Sequence, residues 1–111
     1  MTIREIAAVL EAEIVQNSFD DVQISSAYTS DLLSDVITHA KNGGALITIQ
    51  AHRNTVAVAT LVNSRVIIIC NNRPLPEDML AAAYNENIAI LRTTENQFTV
   101  SGKLYAILEK Q

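Results

Sequence analysis

At 111 residues with a net charge of −4, the chain is long enough for one domain and too short for two ordinary ones. The acidic balance, without a clustered basic patch, argues against a nucleic-acid surface, and no apolar run approaches the ~20 residues that span a bilayer. One cysteine, Cys70, excludes an intramolecular disulfide framework and fits a reducing, cytoplasmic compartment.

The amino terminus, MTIREIAAVLEAE, carries charges at Arg4, Glu5, Glu11 and Glu13, so it is not expected to be a signal peptide. Thr2-Ile3-Arg4-Glu5 reads as a capping box, and Ile3, Ile6, Ala7 and Leu10 predict an amphipathic helix over 3–11. Glu13-Ile14-Val15 suits a short strand, Gln16 to Asp21 is polar turn material, and Val22 to Tyr28 alternates as a strand does. Ser30 is expected to cap a helix opening at Asp31, with Leu32, Leu33, Val36, Ile37 and Ala40 inward and Asn42-Gly43-Gly44 ending it.

Three strand–helix units of parallel type follow. Ala45 to Ile49 and Val66 to Cys70 are apolar strands, with a helix between them capped by Asn54 and running to about Val62. Pro76 with Glu77-Asp78 opens another helix, burying Met79, Leu80, Ala83 and Tyr84. Ile88 to Leu91 is the third strand, and Thr94-x-x-Gln97 is a second capping box for a last helix with Phe98, Leu104, Tyr105 and Leu108 inward. Apolar strands separated by helices mean right-handed crossovers. The expected fold is α/β: a single three-layer domain over 1–111, with a mostly parallel central sheet and helices on both faces.

In such sheets ligands bind beyond the carboxyl ends of the strands. Those ends lead into Thr29-Ser30-Asp31, Gln50 to Asn54, Asn71-Asn72-Arg73 and Arg92-Thr93-Thr94, which hold three of the five arginines. Arginines beside helix N-termini suit a phosphate or carboxylate, although capping residues collect in any loop of this kind. His52 is the only loop histidine; without a partner motif it reads as structural or ligand-contacting rather than catalytic. Asp31 and Asp35 lie four apart, but no third ligand accompanies them, so a cap and a solvated face is the reading and no metal is expected. Three glycines, Gly43, Gly44 and Gly102, are too few and wrongly placed for GxxxxGK[ST] or GxGxxG.

With the strand and loop order in hand, the chain resembles the DRTGG domain family over nearly its whole length. The resemblance is carried by SAYTSDLLSDVITHAK (Ser26 to Lys41), ALITIQAHRNTVAVATL (Ala45 to Leu61), VIIICNNRPLPEDMLAAAYNENIAIL (Val66 to Leu91) and TTENQFTVSGKLY (Thr93 to Tyr105). Members occur as the amino-terminal domain of HPr kinase/phosphorylases, as a middle domain of some phosphotransacetylases, beside CBS domains, and as small stand-alone proteins, which this chain is most like. The resemblance implies a non-catalytic regulatory or ligand-sensing domain, often paired with itself. A serine-kinase label belongs to a separate P-loop domain, which this sequence lacks. Stand-alone members also accompany iron hydrogenase and redox-associated genes, which makes a partner of that kind one expectation. The eponymous Asp-Arg-Thr-Gly-Gly string is absent here, with Arg53 of His52-Arg53-Asn54 answering to its arginine, and Asn71-Asn72 stand where many members have a glycine pair. Asparagine tolerates positive φ, so the turn is compatible with them.

Three functional readings follow. The first is a small cytoplasmic regulatory or interaction domain without enzymatic activity, acting as a homodimer, with the Ala81-Ala82-Ala83 helix face as one contact surface. The second is a sensor of a nucleotide or phosphorylated small molecule using Ser30, Gln50, His52, Arg53, Asn54, Asn71, Asn72 and Thr94. The third is an enzyme centred on His52 with Ser30 or Asp31. No cofactor, nucleic acid or membrane partner is expected in any of them.

Overall fold

The computed structural model describes residues 1–40 and 42–110. Lys41, which closes the Ser26–Lys41 match, and Gln111 lie outside the described residues. In chain order the elements are α1 (Ile3–Leu10), β1 (Glu13–Gln16), β2 (Ala27–Thr29), α2 (Leu33–His39), β3 (Ala45–Thr48), α3 (Arg53–Leu61), β4 (Val66–Ile69), α4 (Glu77–Asn85), β5 (Ala89–Arg92) and α5 (Gln97–Leu108). The crossovers β2-α2-β3, β3-α3-β4 and β4-α4-β5 each step one strand the same way, giving a sheet ordered β1-β5-β4-β3-β2. Right-handed crossovers that never reverse direction lay their helices on one face. Accordingly Val36, Val56, Ala59, Met79 and Ala83 of α2, α3 and α4 pack with Leu46, Ile67, Ile69 and Ile90. Ile6, Leu10, Val100 and Leu104 of α1 and α5 cover the other face, over Ile47, Ile68 and Leu91.

The sheet is mostly parallel, as expected, with one antiparallel pair. β1 runs against β5, pairing Glu13 with Arg92 and Ile14 with Leu91, and its register slips between Ile14 and Gln16. The buried Gln16 amide fills that irregularity by donating to the Ile88 carbonyl at 2.8 Å. The first capping box forms as read: Glu5 N–H donates to Thr2 Oγ1 at 3.2 Å, and Thr2 N–H to Glu5 Oε1 at 2.9 Å.

Four expectations are corrected. Val22 to Tyr28 is strand only from Ala27, because β3 begins at Ala45 and offers no ladder further back; Ile24 instead enters the core beside α1. Asp31 does not open α2. The helix starts at Leu33 behind an extended Leu32, since the Asp31 carboxylate is drawn across to β3, and Leu32 and Ile37 stay exposed. Asn96, not Thr94, caps α5 through Thr99 N–H at 2.9 Å, and Phe98 and Tyr105 face outward, on a different side of the helix from Val100 and Leu104, which face the core. In α4, Ala83 is buried and Tyr84 exposed, so Ala81 to Ala83 do not form a free face.

Gly44 fixes the close approach of β3 to the segment before β2. A Cβ there would lie 2.7 Å from Ser26 Oγ and 3.0 Å from the Ser26 carbonyl oxygen, which already accepts Ala45 N–H. Gly44→Ala is expected to lower stability by about 1–3 kcal/mol in urea denaturation. Adding Ser26→Ala should recover only part of that loss, because the backbone carbonyl remains.

Candidate functional site

All four parallel strands present their carboxyl ends on one edge, and a single side chain organises it. Asp31, just past β2, accepts three hydrogen bonds on Oδ1: from Thr48 Oγ1 at 2.8 Å, from Ile49 N–H at 2.9 Å and from Gln97 Nε2 at 2.9 Å. Its carbonyl takes a fourth, from Gln50 Nε2 at 3.0 Å. One residue therefore joins the end of β2, the end of β3 and the first turn of α5. Ser30 turns locally, its Oγ accepting Leu32 N–H at 3.2 Å.

The β3–α3 loop folds on its own bonds. Thr55 Oγ1 donates to the Gln50 carbonyl at 2.7 Å, and Thr48 Oγ1 accepts Gln50 N–H at 3.1 Å. The cap of α3 is His52 and not Asn54: His52 Nδ1 accepts Asn54 N–H at 3.0 Å. Neutral imidazole with Nδ1 as acceptor carries its proton on Nε2. Arg53 and Asn54 are exposed and line a groove of about 300 Å³ between α3 and α4, with Ala82, Asn85 and Glu86 on its far wall.

After β4, Asn71 and Asn72 both adopt left-handed backbone, with φ of 60° and 49°. Asparagine is among the few side chains that accept this region readily, so the turn survives without glycine. Their amides donate to the Glu95 carbonyl at 2.9 Å and the Thr93 carbonyl at 2.8 Å. These bonds close the gap where the β4 loop leaves for one face of the sheet and the β5 loop for the other, the place where open α/β sheets otherwise keep a crevice. Arg92 turns sideways to β1, where it pairs with Glu13 at 2.9 Å, whereas Thr94 is exposed. Glu95 reaches Lys103 through Oε1 at 2.8 Å, and its buried Oε2 has no hydrogen-bond partner among the described residues.

Beneath the edge lies the Cys70 thiol, fully buried. Burial first, then the neighbouring Asp31 and Glu95 carboxylates, push it up to about 11. It is protonated and unreactive at neutral pH.

The structure thus brings Ser30, Gln50 and Asp31 together, and links Asn71 and Asn72 to the β5 loop. His52, Arg53 and Asn54 stand further along, at the head of α3. Among the described residues no hydrogen bond connects His52 with Ser30 or Asp31. Sequence reasoning placed Asp31 on this edge but missed its role as a hub and its partners Thr48 and Gln97. One signal was present, the lone hydroxyl of Thr48 at the end of an otherwise apolar strand, since a buried hydroxyl requires a partner.

A family model for the DRTGG domain matches residues 5–107. No curated protein matches the chain. Among solved structures, the CBS and DRTGG domains of the regulatory region of Clostridium perfringens pyrophosphatase, complexed with activator, diadenosine tetraphosphate, superpose with a TM-score of 0.73 at 16% identity. The match covers 93% of this chain and 45% of that one, so this chain spans less than half of its neighbour's length, and the likeness is one of fold.

Two outcomes are expected. Asp31→Ala strands three donors and should cost about 2 kcal/mol or more in chemical denaturation, whereas Asp31→Asn, which keeps an acceptor, should cost clearly less. The raised Cys70 thiol contributes stability that is complete below its ordinary value of 9.0 and is lost as pH rises towards about 11. Urea titrations across that window should show a decline that Cys70→Ala lessens, the remainder including Tyr28, whose hydroxyl is also pushed up by its hydrogen bond to Asp35.

Proposed function

The chain belongs to the DRTGG domain family, and from that premise we propose that it is a regulatory or interaction domain rather than an enzyme, working as a homodimer inside the cytoplasm. The observation that carries this reading is how the strand-end edge uses its polar groups. Asp31, Thr48, Gln50, Gln97 and the His52 Nδ1 atom all engage the protein's own loops. Catalysis needs a base or nucleophile aimed at a reacting atom, and such groups are here committed to holding loops rigid. Among the described residues no helix is long and apolar enough to cross a membrane.

The rigid edge also supports the second reading, an effector site. The loops that follow the parallel strands leave Gln50, Arg53, Asn54, Asn71, Asn72, Arg73 and Thr94 exposed, Gln50 bonded to the Asp31 hub and Arg53 and Asn54 further along at the head of α3. Two guanidinium groups among amides and a hydroxyl suit a nucleotide or other anionic metabolite. The structural neighbour, whose regulatory region is complexed with an activating dinucleotide, favours that class of effector. With Asn71 and Asn72 amides already bonded to the β5 loop, such an effector rests on the edge rather than inserting between β4 and β5.

A thermal-shift series with mononucleotides, dinucleoside polyphosphates and phosphorylated metabolites tests the effector. Ligand at 100 times its dissociation constant adds about 2.7 kcal/mol of stability, a rise that Arg53→Ala should reduce. A flat response to every compound would sink this effector reading and leave the interaction reading to stand on partner binding alone.

A further inference from the structure

The two edges of the sheet are unlike. At β1 the outer strand carries Glu13, ion-paired with Arg92 at 2.9 Å, and breaks its register between Ile14 and Gln16. Charge and irregularity are the usual means by which proteins keep a sheet edge from pairing. The β2 edge has neither. From Val22 to Ser30 the sequence VQISSAYTS holds no charge and no proline, and β2 pairs with β3 in unbroken parallel register. Ala45 N–H donates to the Ser26 carbonyl at 2.9 Å and Ser30 N–H to the Ile47 carbonyl at 3.2 Å. That ladder turns residues 26, 28 and 30 towards β3, so the N–H and C=O groups of Ala27 and Thr29 point outward.

Beside this edge, on the α1/α5 face, runs an open groove of about 340 Å³ between β2 and α5. Among the described residues Glu109 is the only charged one in its lining. Phe98 and Tyr105 of α5 are 88% and 69% exposed, and Leu32 at the strand's end is 65% exposed. Phe98 and Tyr105 lie seven residues apart, on one side of the helix, with Gly102 between them and nothing within 4 Å of where its Cβ would be. Large aromatics in the open beside an unguarded edge mark an interaction surface.

We propose that a second copy of this chain occupies this surface, its β2 pairing antiparallel with β2 to join the two sheets into one, and its α5 packing on α5. The proposal rests on the homodimer reading and supplies its surface. A two-fold axis through Tyr28 sets Ala27 opposite Thr29 of the partner subunit, so the outward groups on both strands exchange hydrogen bonds. The spacing closes as well. α5 packs over β2 and β3, so the two α5 helices stand about two strand separations apart, roughly 10 Å. That is the distance at which helices pack side by side. Thr29 Oγ1 lies 2.7 Å from Ser101 Oγ, which places the level of Tyr28 next to Gly102, where two antiparallel helices crossing the axis need the smallest side chain. An uncharged edge lets two copies of an acidic chain meet without placing like charges opposite one another.

Sedimentation equilibrium of the full chain at tens of micromolar, read with amide exchange, tests the surface. The wild type should be a dimer whose Ala27 and Thr29 amides lose protection on dilution. Ala27→Pro removes an outward N–H and no bond to β3, and the paired change Phe98→Lys with Tyr105→Lys charges the exposed side of α5. Each should weaken association by roughly a hundredfold while circular dichroism is unchanged. Should Ala27→Pro fail to fold, the α5 pair decides. Glu13→Ala at the opposite edge should remain dimeric. A wild-type dimer that persists in the α5 pair, with freely exchanging Ala27 and Thr29 amides, overturns this surface and leaves the homodimer reading intact. A wild-type monomer overturns both.

Discussion

The structure turns on one carboxylate. Asp31 sits where β2 ends, and through Oδ1 it holds the Thr48 hydroxyl, the Ile49 amide and the Gln97 side chain. Hydrogen bonds to an ionised acceptor are stronger than neutral ones, and they matter most where water is partly excluded. Because Asp31 reaches sideways to β3, it is unavailable to cap α2, which therefore begins late, behind a leucine. Because it also holds Gln97, the first turn of α5 is anchored above β2 and β3, which leaves Phe98 facing solvent.

The same edge shows how topology and site are linked. Every crossover among the parallel strands lays its helix on one face, so of the loops that leave the parallel strands the one after β5 leads to the opposite face, where α5 joins α1. That change separates the β4 and β5 loops, and the left-handed pair Asn71-Asn72 brings them back together through two backbone bonds. The result is an edge whose loops are bonded to one another across strands. Such an edge suits recognition, where fixed groups lose little entropy on binding.

The sheet's margins follow a related logic. Its centre, β3 to β5, is buried on both faces and specifies itself by apolar packing alone. Its two outer strands must instead be settled by whatever lies beyond them. β1 is closed by charge, a register slip and the inward amide of Gln16. β2 is left with polar backbone outward and a helix with exposed aromatics alongside.

Much was legible in the sequence by itself. Apolar runs at Ala45, Val66 and Ile88 separated by helical spacing determined the parallel sheet, because strands buried on both faces leave no other reading. Thr2 and Glu5 determined the first helix end, since a capping box acts within four residues. Helix starts at Leu33 and Gln97 were misplaced because Ser30, Asp31 and Thr94 look like caps when only neighbours in sequence are weighed. Only the tertiary structure offered Asp31 a partner 17 residues away in Thr48 and another 66 away in Gln97. Likewise, the polar loops of the candidate site could be listed from the chain, but which of their groups remain free depended on bonds formed across strands. Local rules act on residues close along the chain; the competition for Asp31 was decided between residues close only in space.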